Sequence, residues 1–221
     1  MSVCPSSPHA VLAAALFVPA LACAAPVNGT AASLSASAKT SDWTYSATGM
    51  YYFPPDDSNF LLAIATADRG SLHLEARYNY EALDTGSLFV GWTFSGGNKL
   101  TYTLTPMLGV VFGKTQGIAP GFEASLAYGI VDYYIEAEYL YDLDVKEDSY
   151  IYAWSELGVS PLKWLRLGLV GQRTRVYQTD REIQYGGFMQ LIFGRATLGF
   201  YVFNPDDSAD RLAVMSLGAE F

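Results

Sequence analysis

The chain has 221 residues, enough for one domain, and 51% of them are hydrophobic while only 16% are charged. Its formal net charge of −9 leaves no basic surface that could follow the phosphates of a nucleic acid, so nucleic acid is not an expected partner. No segment after the N-terminal region is apolar over the roughly 20 residues that a spanning helix needs, so the apolar residues must be spread over shorter elements.

The N-terminal segment, residues 1–24, has the features of a signal peptide. An apolar run over residues 10–21 is followed by Ala22-Cys23-Ala24, a small-x-small pattern that predicts cleavage before Ala25. Cys23 is alternatively a lipidation site, although alanine rather than leucine three residues before it makes this the poorer match. Either route exports the chain from the cytoplasm. Residues 25–41 are small and polar and predict a flexible periplasmic leader.

From Asp42 onward, segments of about ten residues alternate in polarity and are separated by turn residues. In the third segment, a period of two puts one set of residues toward lipid and the other toward the lumen. The expected lipid-facing set is Leu72, Leu74, Ala76, Tyr78 and Tyr80, and the lumenal set is Ser71, His73, Glu75, Arg77 and Asn79. The expected strand cores are 43–53, 59–67, 71–80, 87–95, 99–112, 121–130, 133–142, 149–159, 164–176, 183–193, 197–203 and 211–221.

Residues 42–221 are therefore predicted to be all-β, a closed up-and-down antiparallel transmembrane β-barrel of about 12 strands. An even strand count places both ends of the barrel domain on one side of the membrane. The periplasmic turns are expected to be tight, one of them at Val131-Asp132. The outer connections, such as residues 81–86 and 204–210, are longer and acidic, but none is long enough to plug the lumen by itself.

The last segment, RLAVMSLGAEF, ends at Phe221 and places Ala213, Met215, Leu217 and Ala219 on one face. It resembles the C-terminal strand of small bacterial outer-membrane β-barrel (porin-like) proteins. That resemblance implies an outer-membrane location, contact with outer-membrane lipid and lipopolysaccharide, and recognition of the terminal strand by the barrel-assembly machinery. It implies no particular solute.

Polar and charged residues on the inward faces are the candidate pore lining. They are His73, Glu75, Arg77, Thr101, Thr103, Thr105, Glu123, Glu136, Glu138, Glu156, Arg166, Glu182, Gln184 and Gln190. Folding of the eighth and ninth strands near Pro161 predicts a cross-strand ion pair between Glu156 and Arg166. Glu123, Glu136 and Glu138 have no cation nearby in this arrangement and are predicted to form an acidic wall, with Arg77 and His73 well around the barrel.

Three functions are compatible with these features. The leading hypothesis is a narrow passive pore for small cationic or neutral solutes, because an acidic lumen favours such solutes. The alternative is a closed structural or adhesive barrel, in which Arg77 and Arg166 reach across to the carboxylates and an acidic rim binds a partner or cation-bridged lipopolysaccharide. A lipid-modifying enzyme that uses His73 is the weakest of the three, since this histidine is expected to point inward.

Two outer loops share a Pro-Asp-Asp-Ser sequence, at Asp56-Asp57 and at Asp206-Asp207. Paired carboxylates at one rim are weak candidates for a shared Ca²⁺ site, and good turn formation by Pro and Asp is the simpler interpretation. The sequence therefore predicts no cofactor and no dedicated metal site.

Overall fold

The described part of the chain folds into one closed antiparallel barrel, as predicted. The computed structural model describes residues 42–55, 57–176 and 182–221, so the expected signal peptide and leader lie outside the described residues. Twelve strands are found in this part, and pairing of the first with the last closes the ring. They are β1 Thr44–Phe53, β2 Phe60–Arg69, β3 Leu72–Tyr78, β4 Thr85–Trp92 continuing after Thr93 as Phe94–Gly97, β5 Leu100–Gly113, β6 Gly117–Tyr128, β7 Val131–Asp142, β8 Tyr150–Leu162, β9 Leu165–Val176, β10 Glu182–Phe193, β11 Ala196–Phe203 and β12 Leu212–Glu220.

The barrel has a turn end and a loop end. At the turn end β1 begins, β12 ends and two-residue connections join successive strands, whereas the longer connections lie at the loop end. A 3-10 turn over Lys146–Asp148 occupies one of those longer connections. Among the described residues, no helix is long and apolar enough to cross a membrane.

The outer surface is an apolar belt with aromatic residues at its edges. Leu88, Val90 and Leu108 are each more than half exposed, as are Trp92 and Trp164 at the turn end. On a soluble monomer, this many large apolar side chains would be exposed to water at a cost in free energy. Lipid accommodates them without that cost.

One predicted turn is formed by different residues in the structure. The β6–β7 connection is Gly129-Ile130, not Val131-Asp132, because Gly129 adopts a φ of 64° that suits the first position of a tight hairpin turn. β7 therefore begins at Val131, and the β6–β7 register pairs Glu136 with Glu123. Asp132 becomes an inward-facing strand residue.

The end of β3 also departs from the expected alternation, because Tyr80 points into the lumen and not toward lipid. Asn79 adopts a positive φ of 56°, and its side chain donates to the Leu61 carbonyl (2.9 Å) and accepts from the Asp84 amide (2.8 Å). This change of phase buries Tyr80 and Glu81 almost completely. The short β3–β4 loop therefore inserts two side chains into the lumen.

Inside the barrel, the inward side chains change in character from one end to the other. Toward the turn end they include many small polar residues, and hydroxyl pairs link neighbouring strands, at Ser46 and Thr66 (2.8 Å) and at Thr103 and Ser125 (2.6 Å). Toward the middle and the loop end they are large and packed. The fully buried set in that region includes Met50, Tyr52, Leu62, Tyr80, Leu140, Tyr152, Trp154 and Phe203.

Candidate functional site: the barrel lumen

The centre of the lumen is organised around Arg77, which is fully buried and projects from β3. Its guanidinium donates to Glu75 on the same strand, to Glu136 on β7 at 2.8 Å and to Glu138 on β7 at 3.2 Å. The Tyr80 hydroxyl also donates to Glu136. These five residues are called the Arg77 cluster below, and they join walls of the barrel that are four strands apart.

Two aromatic rings pack against the guanidinium. The Arg77 Cζ atom lies 3.8 Å from the centroid of the Tyr80 ring and 4.1 Å from that of the Phe89 ring. Such cation–π contacts strengthen when they are desolvated. Phe89 lies over Gly109 on the neighbouring strand, where a Cβ atom would collide with the ring. A glycine on β5 therefore leaves the space for the aromatic side chain that supports Arg77.

The prediction that the acidic wall has no cation nearby is wrong. Arg77 pairs with Glu136 and Glu138 because its long side chain crosses the lumen, as the closed-barrel alternative expects. The excess of acid nevertheless remains, since Glu75, Glu136 and Glu138 share this single guanidinium. Glu123 stands directly opposite Glu136 in the β6–β7 register and adds a further carboxylate.

A second buried arginine organises the wall nearer the turn end. Arg166 donates to Glu156 at 2.5 Å, which confirms the predicted ion pair, and to Gln190 at 3.0 Å. It also forms a forked contact with Asp132, through Nε at 3.0 and 3.1 Å and through a second nitrogen. The pairing does not follow the expected register, because Glu156 lies opposite Val170. Arg166 reaches Glu156 along the strand, over Gly158, and the site is called the Arg166 cluster below.

Several buried carboxylate oxygens have no hydrogen-bond partner within the described residues. They are both side-chain oxygens of Glu81 and the Oε1 atoms of Glu123 and Glu138. Burial raises the pKa of the Glu81 carboxyl, which lies in the β3–β4 loop, although the nearby Arg77 opposes this shift. An unpaired buried carboxylate is costly, so these groups require protons, water or cations.

The predicted lining residues fall into three groups. Those that are buried are His73, Glu75, Arg77, Thr105, Glu136, Glu138, Glu156, Arg166 and Gln190. Those that are half-buried on inward positions are Thr101, Thr103, Glu123 and Gln184. The Glu182 side chain lies outside what the structure describes. Whether these residues line a conducting pore stays a prediction.

Sequence reasoning missed Asp132, Tyr80 and Glu81 as lumenal residues. Asp132 was recoverable, because it lies in phase with Glu136 and Glu138 on an alternating strand and Gly129 is the better turn residue. The inward position of Tyr80 and Glu81 had no comparable signal, since it depends on the backbone geometry at Asn79.

The rim aspartates take part in loop structure. Asp206 accepts a hydrogen bond from the Tyr185 hydroxyl at 2.8 Å, and Asp207 accepts one from the Ala209 amide at 3.0 Å. Asp57 is exposed, and Asp56 lies outside the described residues. The contact of Asp207 with the Ala209 amide fits the turn-forming interpretation of this loop.

Comparison with known proteins finds solved structures that are similar to this chain. A KdgM porin superposes with a TM-score of 0.62 at 9% identity, covering 80% of this chain and 99% of that one. A KdgM porin in complex with disordered oligogalacturonate gives 0.63 at 8% identity, with the same coverage. OccK5 (OpdH) of Pseudomonas aeruginosa gives 0.44 at 9% identity over 81% of this chain and 67% of that chain. No family model and no curated protein matches the sequence. The KdgM likeness shows that this chain has a porin-like β-barrel fold.

Proposed function

We propose that this protein is a bacterial outer-membrane channel for small cationic or neutral solutes, and that the Arg77 cluster closes its lumen in the state described above. The observation that carries the proposal is the excess of lumenal carboxylates. Glu75, Glu136 and Glu138 share one guanidinium, while Glu81 and Glu123 keep buried oxygens without hydrogen-bond partners.

This excess favours a lumen that water and cations enter. A barrel interior that serves only as a scaffold is most stable when each buried polar group has a partner. Uncompensated carboxylates in a dry interior cost several kcal/mol each, whereas an aqueous path with mobile cations removes that cost. The same carboxylates set the selectivity, because rings of acidic side chains favour cations over anions.

Closure is local and depends on side chains. Beside the Arg77 cluster and toward the loop end, the interior is filled by groups such as Tyr52, Tyr80 and Trp154, each with no exposed surface. A conducting path past this level requires the Arg77 side chain and the neighbouring Tyr80 to move, while the strand backbone stays hydrogen-bonded. We therefore expect brief openings of small conductance instead of a permanently open pore.

The neighbour that binds oligogalacturonate does not supply a substrate for this chain. Oligogalacturonate carries a carboxylate on each sugar, and the lumen described here is itself acidic, so like charges would repel. We expect solutes of the opposite charge class, and we place the turn end in the periplasm. Outer-membrane lipid, lipopolysaccharide and the assembly machinery that reads the strand ending at Phe221 are the further proposed partners.

A closed structural or adhesive barrel is the second candidate, favoured by the complete packing of the interior near the loop end. In that case the acidic rim formed by Asp56, Asp57, Asp206 and Asp207 would bind a partner or cation-bridged lipopolysaccharide. Neutralising those four aspartates together would then abolish binding, and no conductance would be found.

Planar-bilayer recording of the refolded chain separates the two candidates. The channel proposal predicts single-channel steps and a reversal potential in a KCl gradient that favours K⁺. Arg77→Gln should raise the open probability, and Glu136→Gln with Glu138→Gln should reduce the preference for K⁺. Arg69→Gln, which removes a cation from the turn end outside the lumen, is the matched control and should match the wild type. Absence of steps in both the wild type and Arg77→Gln would overturn the channel proposal.

A further inference from the structure

The lumen contains a group of ligand-type atoms that adjoins the Arg77 cluster on its turn-end side and shares Glu75 with it. One ring nitrogen of His73 and one carboxylate oxygen each from Glu75 and Glu123 lie within 4.8 Å of one another. In the part of the chain that the structure describes, no other group of three such side chains is found. We propose that His73, Glu75 and Glu123 bind a divalent transition-metal ion of the Zn²⁺ type.

The orientation of His73 suits a metal ligand. Its Nδ1 atom lies 2.8 Å from Asp68 Oδ1, and the β2–β3 register places Asp68 directly opposite His73. A carboxylate that accepts the Nδ1–H bond fixes the tautomer and directs the Nε2 lone pair outward, as in many zinc sites. Asp68 would thus orient the imidazole without contacting the ion.

The Nε2 atom of His73 faces another acceptor. It lies 3.2 Å from Glu75 Oε2, and the other oxygen of Glu75 accepts from Arg77. When Nδ1 carries the hydrogen, Nε2 and the carboxylate oxygen present lone pairs to each other. A proton, on the ring or on the carboxyl group, or a cation must therefore lie between these two atoms.

Glu123 supplies the independent observation that favours a cation. It projects from β6, which strands β4 and β5 separate from β3. Its buried Oε1 atom has no hydrogen-bond partner within the described residues. An added proton on His73 would satisfy Glu75 but would leave this oxygen without a partner. A bound divalent ion would satisfy Nε2, Glu75 and Glu123 together and would offset their charge.

The ligand set indicates the class of metal. One imidazole and two carboxylates suit Zn²⁺ and related transition metals, whereas Ca²⁺ and Mg²⁺ prefer sites made entirely of oxygen. Three protein ligands leave a fourth position for water or for a group on a passing solute. A bound ion would link β3 to β6 and would narrow the lumen on the turn-end side of the Arg77 cluster.

Metal binding is measurable without any conductance, so it tests this inference separately from the channel proposal. The untagged chain is refolded in detergent micelles, treated with chelator, and titrated with ZnCl₂ by isothermal calorimetry. We expect saturable binding near one ion per chain, abolished or weakened at least about tenfold in His73→Gln and Glu123→Gln. Asp68→Asn should weaken binding by about tenfold or more, as loss of an orienting partner does. CaCl₂ and MgCl₂ should not compete.

The matched control is Glu147→Gln, which removes a carboxylate from the exposed turn at the loop end and should leave zinc affinity unchanged. Folding of each variant is checked by the mobility of the unheated barrel on denaturing gels, and Glu123→Asp, which keeps an oxygen ligand, replaces any variant that does not fold. Zinc binding that is absent in the wild type, or equally tight in His73→Gln and Glu123→Gln, would overturn the inference whether or not the barrel conducts.

Discussion

The Arg77 guanidinium on β3 donates to the Glu136 carboxylate on β7 at 2.8 Å, through the lumen and between residues 59 positions apart. β3 and β7 are not neighbouring strands, so this contact depends on closure of the whole barrel. It links two distant walls of the barrel through side chains that are both buried. The contact is therefore a tertiary cross-link between two walls of the barrel.

Removing the Arg77 side chain should destabilise the barrel strongly. In Arg77→Ala, Glu75, Glu136 and Glu138 would stay buried without their shared cation, and loss of one member of a buried ion pair typically costs about 3–5 kcal/mol. The free energy of unfolding in urea, followed by tryptophan fluorescence in micelles, measures the effect. Arg69→Ala should cost far less. Equal stability of Arg77→Ala and the wild type would show that these ion pairs do not form.

The Tyr80 hydroxyl should contribute separately from the Tyr80 ring. Tyr80→Phe removes the donor to Glu136 and keeps the ring that lies on Arg77, so a charge-assisted hydrogen bond worth about 1.5–3 kcal/mol is lost. Tyr78→Phe, two residues earlier on the exposed face, is the matched control. The same unfolding measurement should separate the two variants, and an equal response would argue against a lumenal position for Tyr80.

Gly158 should be intolerant of a side chain, because Arg166 occupies the space beside it. A Cβ atom at this position would lie 2.5 Å from Arg166 Nε and would push the guanidinium away from Glu156 and Asp132. Gly158→Ala should therefore lower the free energy of unfolding by about 1–3 kcal/mol, as overpacking commonly does. At Gly171 a Cβ atom would make only ordinary contacts of 3.7 Å and longer, so Gly171→Ala should be close to neutral. A neutral Gly158→Ala would contradict the position of Arg166.

Glu81 should make barrel stability depend on pH. Burial raises the pKa of this carboxyl in the folded state above its value in the unfolded chain, so the folded state holds the proton more tightly. The resulting contribution to stability is present below the unfolded pKa and is lost as the pH rises through the folded pKa. Glu81→Gln should remove this dependence and be more stable than the wild type at pH 8, with a smaller difference at pH 4.

Unfolding profiles between pH 4 and pH 8 for the wild type, Glu81→Gln and the exposed-site control Glu147→Gln test this expectation. The control should follow the wild type. A Glu81→Gln profile that keeps the slope of the wild type would show that Glu81 is not the group responsible.

The barrel itself was predictable because its main signal is local. Alternation with a period of two decides which face of each strand meets lipid, and it can be read within ten residues, as on β7, where Tyr133 and Tyr139 face outward and Glu136 and Glu138 inward. Strand number, antiparallel order and the Glu156–Arg166 ion pair followed from this pattern together with short turns. The pattern is insensitive to small errors in turn position, which is why the fold was correct although the β6–β7 turn was not.

Which lumenal side chains pair with one another depends on the three-dimensional structure. Which carboxylates Arg77 reaches depends on the closed ring, on the register set by Gly129 and on the phase change at Asn79, and no single strand contains that information. The residue pattern along the strands is enough to predict that acidic side chains outnumber basic ones in the lumen. Long side chains meet across the lumen at distances that only ring closure fixes, so the pairing of Arg77 with Glu136 and the convergence of His73, Glu75 and Glu123 belong to the three-dimensional structure.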